Sequence, residues 1–272
     1  MKIISLNLAG RTNFGRDYQK RLEDIAIFLS RENADIVCLQ EVTFDGEKSL
    51  AETINEKMDQ PYENIRSEMS ERYTFDKFSP MAIEKWKEGL LESSDEYLTD
   101  GLGVMSKSAI KHSEVITLAP TQKDEHGRPD FHVRIAQNID FENGVKISNV
   151  HFATNANAYL QLDELIRKIE SNRIILGDFN IPHTGHTIKD TLKKSGTKKI
   201  LGMQDHKNIW SKKYDDSTEF LNYISFPEDK VAYDHLLMPK NTLQFISIKT
   251  VDGLSDHSAV IFELENPPEI GF

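Results

Sequence analysis

Asp178 and Asn180 close the stretch IILGDFN, residues 174–180, and their types and placement suit hydrolytic chemistry. Three aliphatic residues read as the end of a buried strand. Gly177 then permits a sharp exit that leaves both side chains at the strand's C-terminal edge, where open α/β sheets carry their sites. An Asp there can act as a base or orient a water, and a neighbouring Asn can donate to a phosphoryl oxygen. The same two residue types also close strands as Asx turns. On this stretch alone the two readings are even, and other polar residues at strand ends decide between them.

Such residues recur along the chain. Asn7 ends an apolar run, Gln40 and Glu41 follow DIVCL, and His151 follows KISNV. Asp234 opens the segment YDHLLM, and Asp256 and His257 precede the last apolar run. A His beside an Asp, with another Asp on a nearby strand, gives an imidazole held in one tautomer by a carboxylate. It can then trade protons or stabilise negative charge. One His–Asp pair by itself would favour a satisfied structural histidine; five strand-end clusters reverse that balance.

The elements that must carry these residues follow from periodicity. Residues 2–8 alternate as a short buried strand. From Asp17 to Glu32 the apolar positions Tyr18, Leu22, Ile25, Ala26 and Leu29 form one helical stripe with Asp17 as N-cap, and residues 35–39 form a second strand. The result is a βαβ unit with its polar residues at one edge. A second unit repeats the logic: KISNV into His151, a helix over 157–171, then RIILG into Asp178. The repeat predicts that Asn7, Glu41, His151 and Asp178 share one pocket. Further strands are expected at 101–106, 113–118, 131–139, 145–150, 233–238 and 257–264, with Asn143-Gly144 as a hairpin turn. Helical pieces are expected at 47–58, 81–91 and 187–194. Residues 41–100 carry 16 Asp and Glu against 7 Lys and Arg and read mainly as a solvated face.

Composition narrows the function classes. The 272 residues, 38% hydrophobic, suffice for one large core, so residues 1–272 are read as a single domain. With 44 acidic and 33 basic side chains the net charge is -11, which argues against a general polyanion binder with a wholly basic surface. Locally, eight Lys against two Asp between Lys189 and Lys213 form either a phosphate-facing lip or a soluble face. Cys38 is the single cysteine, so no disulfide framework exists and a reducing compartment fits. His183 and His186 lack the spacing of a zinc site. No segment approaches the about 20 apolar residues of a spanning helix, and a cytoplasmic protein is expected.

Asn7 in SLNL, Gln40-Glu41 in VCLQE, His151 in SNVHF, GDFN at 177–180, Asp234 in AYDHLL and SDH at 255–257 together resemble the endonuclease/exonuclease/phosphatase superfamily, in order and over nearly the whole chain. The resemblance implies a four-layered α/β sandwich of the deoxyribonuclease I-like type. Two packed mixed β-sheets are flanked by helices, with the cleft at one end. It further implies Glu41 as the principal Mg2+ ligand, or Mn2+ in its place, with Asn7 and Asp256 holding the ion directly or through water. Asp178 would orient or deprotonate the attacking water, and Asn180 and His151 would contact the scissile phosphate. His257, paired with Asp234, would stabilise charge or transfer a proton.

His151 is similar to the deoxyribonuclease I, sphingomyelinase and inositol-phosphatase side of the superfamily, and the AYD stretch lacks the Arg-Ile-Asp-Tyr pattern of the abasic-site branch. Asp100 matches an acidic position that supports the second histidine, although the usual residue there is Glu. Arg128 matches a phosphate-facing arginine, with Arg134 competing for that place. The implied activity is metal-dependent hydrolysis of a phosphodiester, nucleic acid being one candidate partner. A phosphomonoesterase acting on sugar or inositol phosphates is the alternative, and a non-catalytic binding module is the other. Oligomeric state is not legible.

Overall fold

The computed structural model of the protein describes residues 1–10, 17–74, 97–118, 133–153, 157–183, 213–217, 223–240 and 242–265. In chain order the elements are β1 (Lys2–Asn7), α1 (Tyr18–Glu32), β2 (Ile36–Gln40), β3 (Phe44–Asp45), β4 (Lys48–Ser49), α2 (Leu50–Glu56), β5 (Asn64–Thr74), β6 (Tyr97–Ser106) and β7 (Ile110–Thr117). They continue with β8 (Ile135–Phe141), β9 (Lys146–His151), α3 (Asn157–Lys168), β10 (Ile174–His183), β11 (Tyr214–Asp216), β12 (Ala232–Pro239), β13 (Gln244–Val251) and β14 (Ala259–Glu265).

Two six-stranded mixed sheets, ordered β13-β14-β1-β2-β6-β5 and β11-β12-β10-β9-β8-β7, pack face to face. The period-2 alternation of a strand determines which side chains meet between them. Ile3, Ile36, Cys38, Val104, Ile139, Ile147, Ile174, Leu176, Leu236, Met238, Val260 and Phe262 share the inter-sheet core. The intervening Ile4, Leu6, Val37 and Leu39 face outward onto the Leu22, Ile25 and Leu29 stripe of α1 and onto α2. On the second sheet Val150, Ile175 and Phe179 face outward onto Leu162, Leu165 and Ile166 of α3. The four-layered sandwich is therefore present, each outer layer covering the far side of one sheet.

The two βαβ units occupy equivalent places. Strand β1 runs parallel to β2 with Asn7 opposite Gln40, and β9 runs parallel to β10 with His151 opposite Asp178. The flanking strands also match, since β14 and β6 are antiparallel to β1 and β2, as β8 and β12 are to β9 and β10.

Local chemistry sets the element ends. The Asp17 side chain caps α1 by accepting from Lys20 N–H at 2.8 Å, and Asn33 ends the helix in the left-handed region at φ 46°. Asn143-Gly144 forms the turn between β8 and β9, with Gly144 at φ 86° and its N–H bonded to Phe141 O.

Residues 41–100 depart from the sequence reading. Strand β5 pairs with β6 along the sheet edge, a β3–β4 ribbon precedes α2, and α2 is shorter than the expected helix at 47–58. A capping box at Ser49 and Glu52 starts that helix late. Strands β11 and β13 were not anticipated; the 244–251 burial pattern shows no fully buried face, so its alternation is weak. The expected helices at 81–91 and 187–194, the Lys189–Lys213 cluster, His186 and Arg128 lie outside the described residues, as does the start of the expected strand at 131–139.

Candidate active site

The inner-face alternation that builds the core also builds the site. Reading toward one end of the sandwich, β1 presents Ile3, Ser5 and Asn7; β9 presents Ile147, Asn149 and His151; β10 presents Ile174, Leu176 and Asp178; β12 presents Met238, Leu236 and Asp234. The middle tier is a buried polar layer. Gln40 Nε2 donates to Asn149 Oδ1 at 2.8 Å, and Asn149 Nδ2 donates to the carbonyls of Leu39 and Gly103. Satisfied polar groups of this kind fix the relative position of the two sheets. Asn149, which the sequence reading missed, was signalled by its place between Ile147 and His151 in the alternation.

At the end of the core, Asp178 is the meeting point. Its Oδ2 accepts from Asn7 Nδ2 at 2.9 Å, and its Oδ1 accepts from the Asn180 backbone N–H at 2.8 Å. The Nε2 atoms of His151 and His257 each lie 3.6 Å from Oδ2. Asn7 Nδ2 also donates to Glu41 Oε1 at 3.1 Å, while Asn7 Oδ1 accepts from Ala9 N–H at 2.8 Å, which fixes the orientation of the amide. His257 Nδ1 is 2.8 Å from Asp234 Oδ2. Asn180 donates its Nδ2 to Phe152 O at 2.9 Å, leaving the second amide N–H for another acceptor. Asp256 is exposed at the mouth and accepts from the His257 backbone N–H at 3.0 Å.

The structure thus brings Asn7, Glu41, His151, Asp178, Asn180, Asp234, Asp256 and His257 together. Asp100 stands beside them, its Oδ2 3.6 Å from Arg134 Nη1, and Arg134 Nη1 is 3.0 Å from His151 Nδ1. Asp100 therefore reaches His151 by way of Arg134. Arg21 was also missed: it is fully buried and clasps the carbonyls of Leu8 at 2.6 Å and Gly10 at 2.7 Å, fixing the chain just after Asn7. An arginine three residues after Tyr18, within the apolar stripe of α1, was the available signal.

Backbone geometry at the site is unusual. Glu41 and Asn180 adopt φ of 52° and 51°, a conformation that costs a non-glycine residue of the order of 1–2 kcal/mol. Gly177 has φ 136°, and a Cβ there would sit 2.1 Å from Val150 O, so no side chain fits immediately before Asp178.

The electrostatics are those of crowded carboxylates. Burial, reinforced by the charge of Asp100, pushes the Glu41 carboxyl up to about 7; Asp256 and Asp178 add to this, and the Asn7 hydrogen bond opposes it. Burial and the charge of Asp234 push Asp178 up to about 6 against the pull of His257, Asn7 and the Asn180 N–H. For His257 burial alone would lower the value, but Asp234, Asp178 and Asp256 outweigh it and raise it to about 10.

Among the described residues no three His, Cys, Asp or Glu side chains form a ready-made metal cage. Mg2+ does not require one, since it keeps several waters and is held by one or two carboxylates. The donor set fits that pattern. Glu41 supplies a carboxylate, Asn7 an amide oxygen with a remaining lone pair, and Asp256 an exposed carboxylate at the mouth.

A sequence profile described as "Endonuclease/Exonuclease/phosphatase family" matches residues 4–257. The chain belongs to that family. Members of known structure share the fold at low identity. An endonuclease/exonuclease/phosphatase from Beutenbergia cavernae DSM 12333 is 15% identical with a TM-score of 0.69, over 98% of this chain and 71% of that one. A mannosyl-6-phosphatase from Bacteroides thetaiotaomicron VPI-5482 is 15% identical with a TM-score of 0.57, over 97% and 99%. A 3'-5' exonuclease from Neisseria meningitidis is 16% identical with a TM-score of 0.58, over 97% and 100%. No curated protein sequence matches the chain. Among the described residues, no helix of this family member is long and apolar enough to cross a membrane.

Proposed function

We propose that the protein is a metal-dependent phosphoesterase that hydrolyses a phosphodiester by attack of water on phosphorus. The carrying observation is the convergence on Asp178 Oδ2 of Asn7, His151 and His257 from both sheets. Family membership supports phosphate-ester hydrolysis in general, the family description naming nucleases and phosphatases.

A phosphoester is anionic and repels a nucleophile, so a site must neutralise phosphoryl oxygens and deliver water in line with the leaving group. Asp178, ionised above about pH 6, takes the proton of that water, held in place by Asn7 and the Asn180 N–H. The Nε2 atoms of His151 and His257 each face Asp178 Oδ2 at 3.6 Å, beyond hydrogen-bond length, and a phosphoryl oxygen seated between them would accept from both. His257, charged through its Asp234 partner, offsets negative charge developing there. Glu41, Asn7 and Asp256 would hold Mg2+, or Mn2+, which when bound supplies Lewis-acid stabilisation of phosphoryl charge and relieves the carboxylate crowding.

Hydrolysis of bis(4-nitrophenyl) phosphate with Mg2+, Mn2+ or chelator tests the reading, with Asp178→Ala alongside. Metal-dependent turnover that the variant loses supports it; equal turnover in the variant refutes it. A second reading, a phosphomonoesterase acting on a sugar or inositol phosphate, draws on the net charge of -11, which disfavours a long polyanionic partner. Phosphate release from such monoesters, without cleavage of the diester, would establish it.

A further inference from the structure

We propose that Arg134 is a positioning residue that holds His151 as the neutral Nε2–H tautomer, so that His151 donates a hydrogen bond to a non-bridging phosphoryl oxygen and does not protonate the leaving group. The inference rests on the phosphoesterase reading for the substrate, but its geometric part stands on two side chains.

Arg134 and His151 are both buried, at 8% and 7% exposure, with Nη1 3.0 Å from Nδ1. A guanidinium carries only N–H donors and stays protonated in proteins. Its partner nitrogen must therefore accept, and the Nδ1 lone pair does so. In a neutral imidazole the single proton is then on Nε2, the atom that faces Asp178.

Protonating Nδ1 would set N–H against N–H and place a second cation at hydrogen-bond distance from the guanidinium in a buried setting. Among the described residues, the charged groups that meet this pair are Asp100 from β6, beside Arg134, and Asp178 from β10, beside His151, with Arg134 itself preceding β8. Asp100, at 3.6 Å, offsets the guanidinium charge and helps hold Arg134 in place.

The other imidazole is dressed in the opposite way. His257 Nδ1 meets the carboxylate of Asp234 at 2.8 Å and donates to it. Two histidines with Nε2 atoms equidistant from one Asp178 oxygen thus have unlike partners behind them, one a cation and one an anion. A neutral Nε2–H imidazole could release that proton only as imidazolate, so it serves as a donor.

The test is 15N NMR of the protein labelled at histidine nitrogen, with the His151 signals assigned by their loss in His151→Gln. A pyridine-like Nδ1 and a pyrrole-like Nε2, unchanged from about pH 6 to about pH 8, is the expected result. A pyrrole-like Nδ1, or an imidazolium titrating in that range, overturns the proposal. Arg134→Gln, whose amide can donate or accept, is expected to mix the tautomers, and Arg134→Lys, again a pure donor, to restore the single one. The wild-type spectrum decides even if a variant fails to fold, and it needs no turnover, so failure of the hydrolytic reading remains distinguishable.

Turnover supplies a second readout. His151→Gln is expected to slow a 4-nitrophenyl ester and an alkyl ester of the same phosphate by the same factor. A loss about 100-fold greater for the alkyl ester, the scale of a missing general acid, would assign the leaving-group proton to His151 and reject the donor role.

Discussion

Asn7 and Asp178, 171 residues apart in the chain and on different sheets, are joined by a 2.9 Å hydrogen bond from the Asn7 amide to Oδ2 of the carboxylate. The bond ties the proposed water-activating carboxylate to the neighbour of the candidate metal carboxylate Glu41. Replacing Asp178 by Ala is expected to lower turnover by at least about 100-fold, the scale of a lost general base. Since the change removes a buried carboxylate whose ionisation the fold opposes, the melting temperature should not fall. Steady-state kinetics with thermal melts of the same sample check both halves.

His257 should remain an imidazolium across neutral pH. Its value of about 10 stands above the ordinary 6.5, so its stabilising contribution is full below about pH 6.5 and is lost as pH rises through about 10. Asp234→Asn removes the principal charge holding it there. The imidazole should then titrate closer to its ordinary range, and turnover should drop by about 100-fold or more. An NMR titration of His257 that is unmoved by the substitution would contradict the pairing.

Metal-free protein should lose stability with rising pH. Glu41 at about 7 and Asp178 at about 6 both lie above their ordinary 4.5 and 3.8, so their contribution is full below about pH 4 and declines as pH rises through about 6 to 7. With chelator, the melting temperature is expected to fall between about pH 5 and about pH 8. Mg2+ should restore more of it at the upper end, where Glu41 is deprotonated and free to bind. Glu41→Gln, which keeps an acceptor for Asn7, should flatten the slope and abolish the Mg2+ effect. Melts of the two proteins across pH, with and without the ion, test this directly.

Gly177→Ala is expected to damage fold and site together. The added Cβ would lie 2.1 Å from Val150 O, on a residue at φ 136°. Backbone strain alone costs about 1–3 kcal/mol, and either β9 or the Asp178 end of β10 must shift to admit the methyl. A lowered melting temperature, and turnover reduced beyond the loss of folded protein, are the outcomes to measure. Unchanged values would show that the close approach does not occur.

The alternation of apolar residues in 2–8, the aliphatic run at 174–176 and the helical stripe from Tyr18 to Leu29 were enough to define two βαβ units and to place Asn7, Glu41, His151 and Asp178 at equivalent strand ends. Such local signals are strong because a half-buried strand or helix must carry them whatever its neighbours. The clustering of those four residues was therefore readable before any coordinates. The strands β5, β11 and β13 were not, because their pairing depends on partners distant in the chain and their own patterning is weak.

Only the tertiary structure decided which atoms meet. It set Arg134 behind His151 Nδ1, whereas the Asp234 carboxylate behind His257 was already implied by the resemblance. It placed Arg21 under the loop after Asn7 and joined Gln40 to Asn149 between the sheets. Sequence periodicity tells which face of an element a side chain occupies. The partner it finds there depends on how two sheets are packed and registered, which is a property of the whole chain.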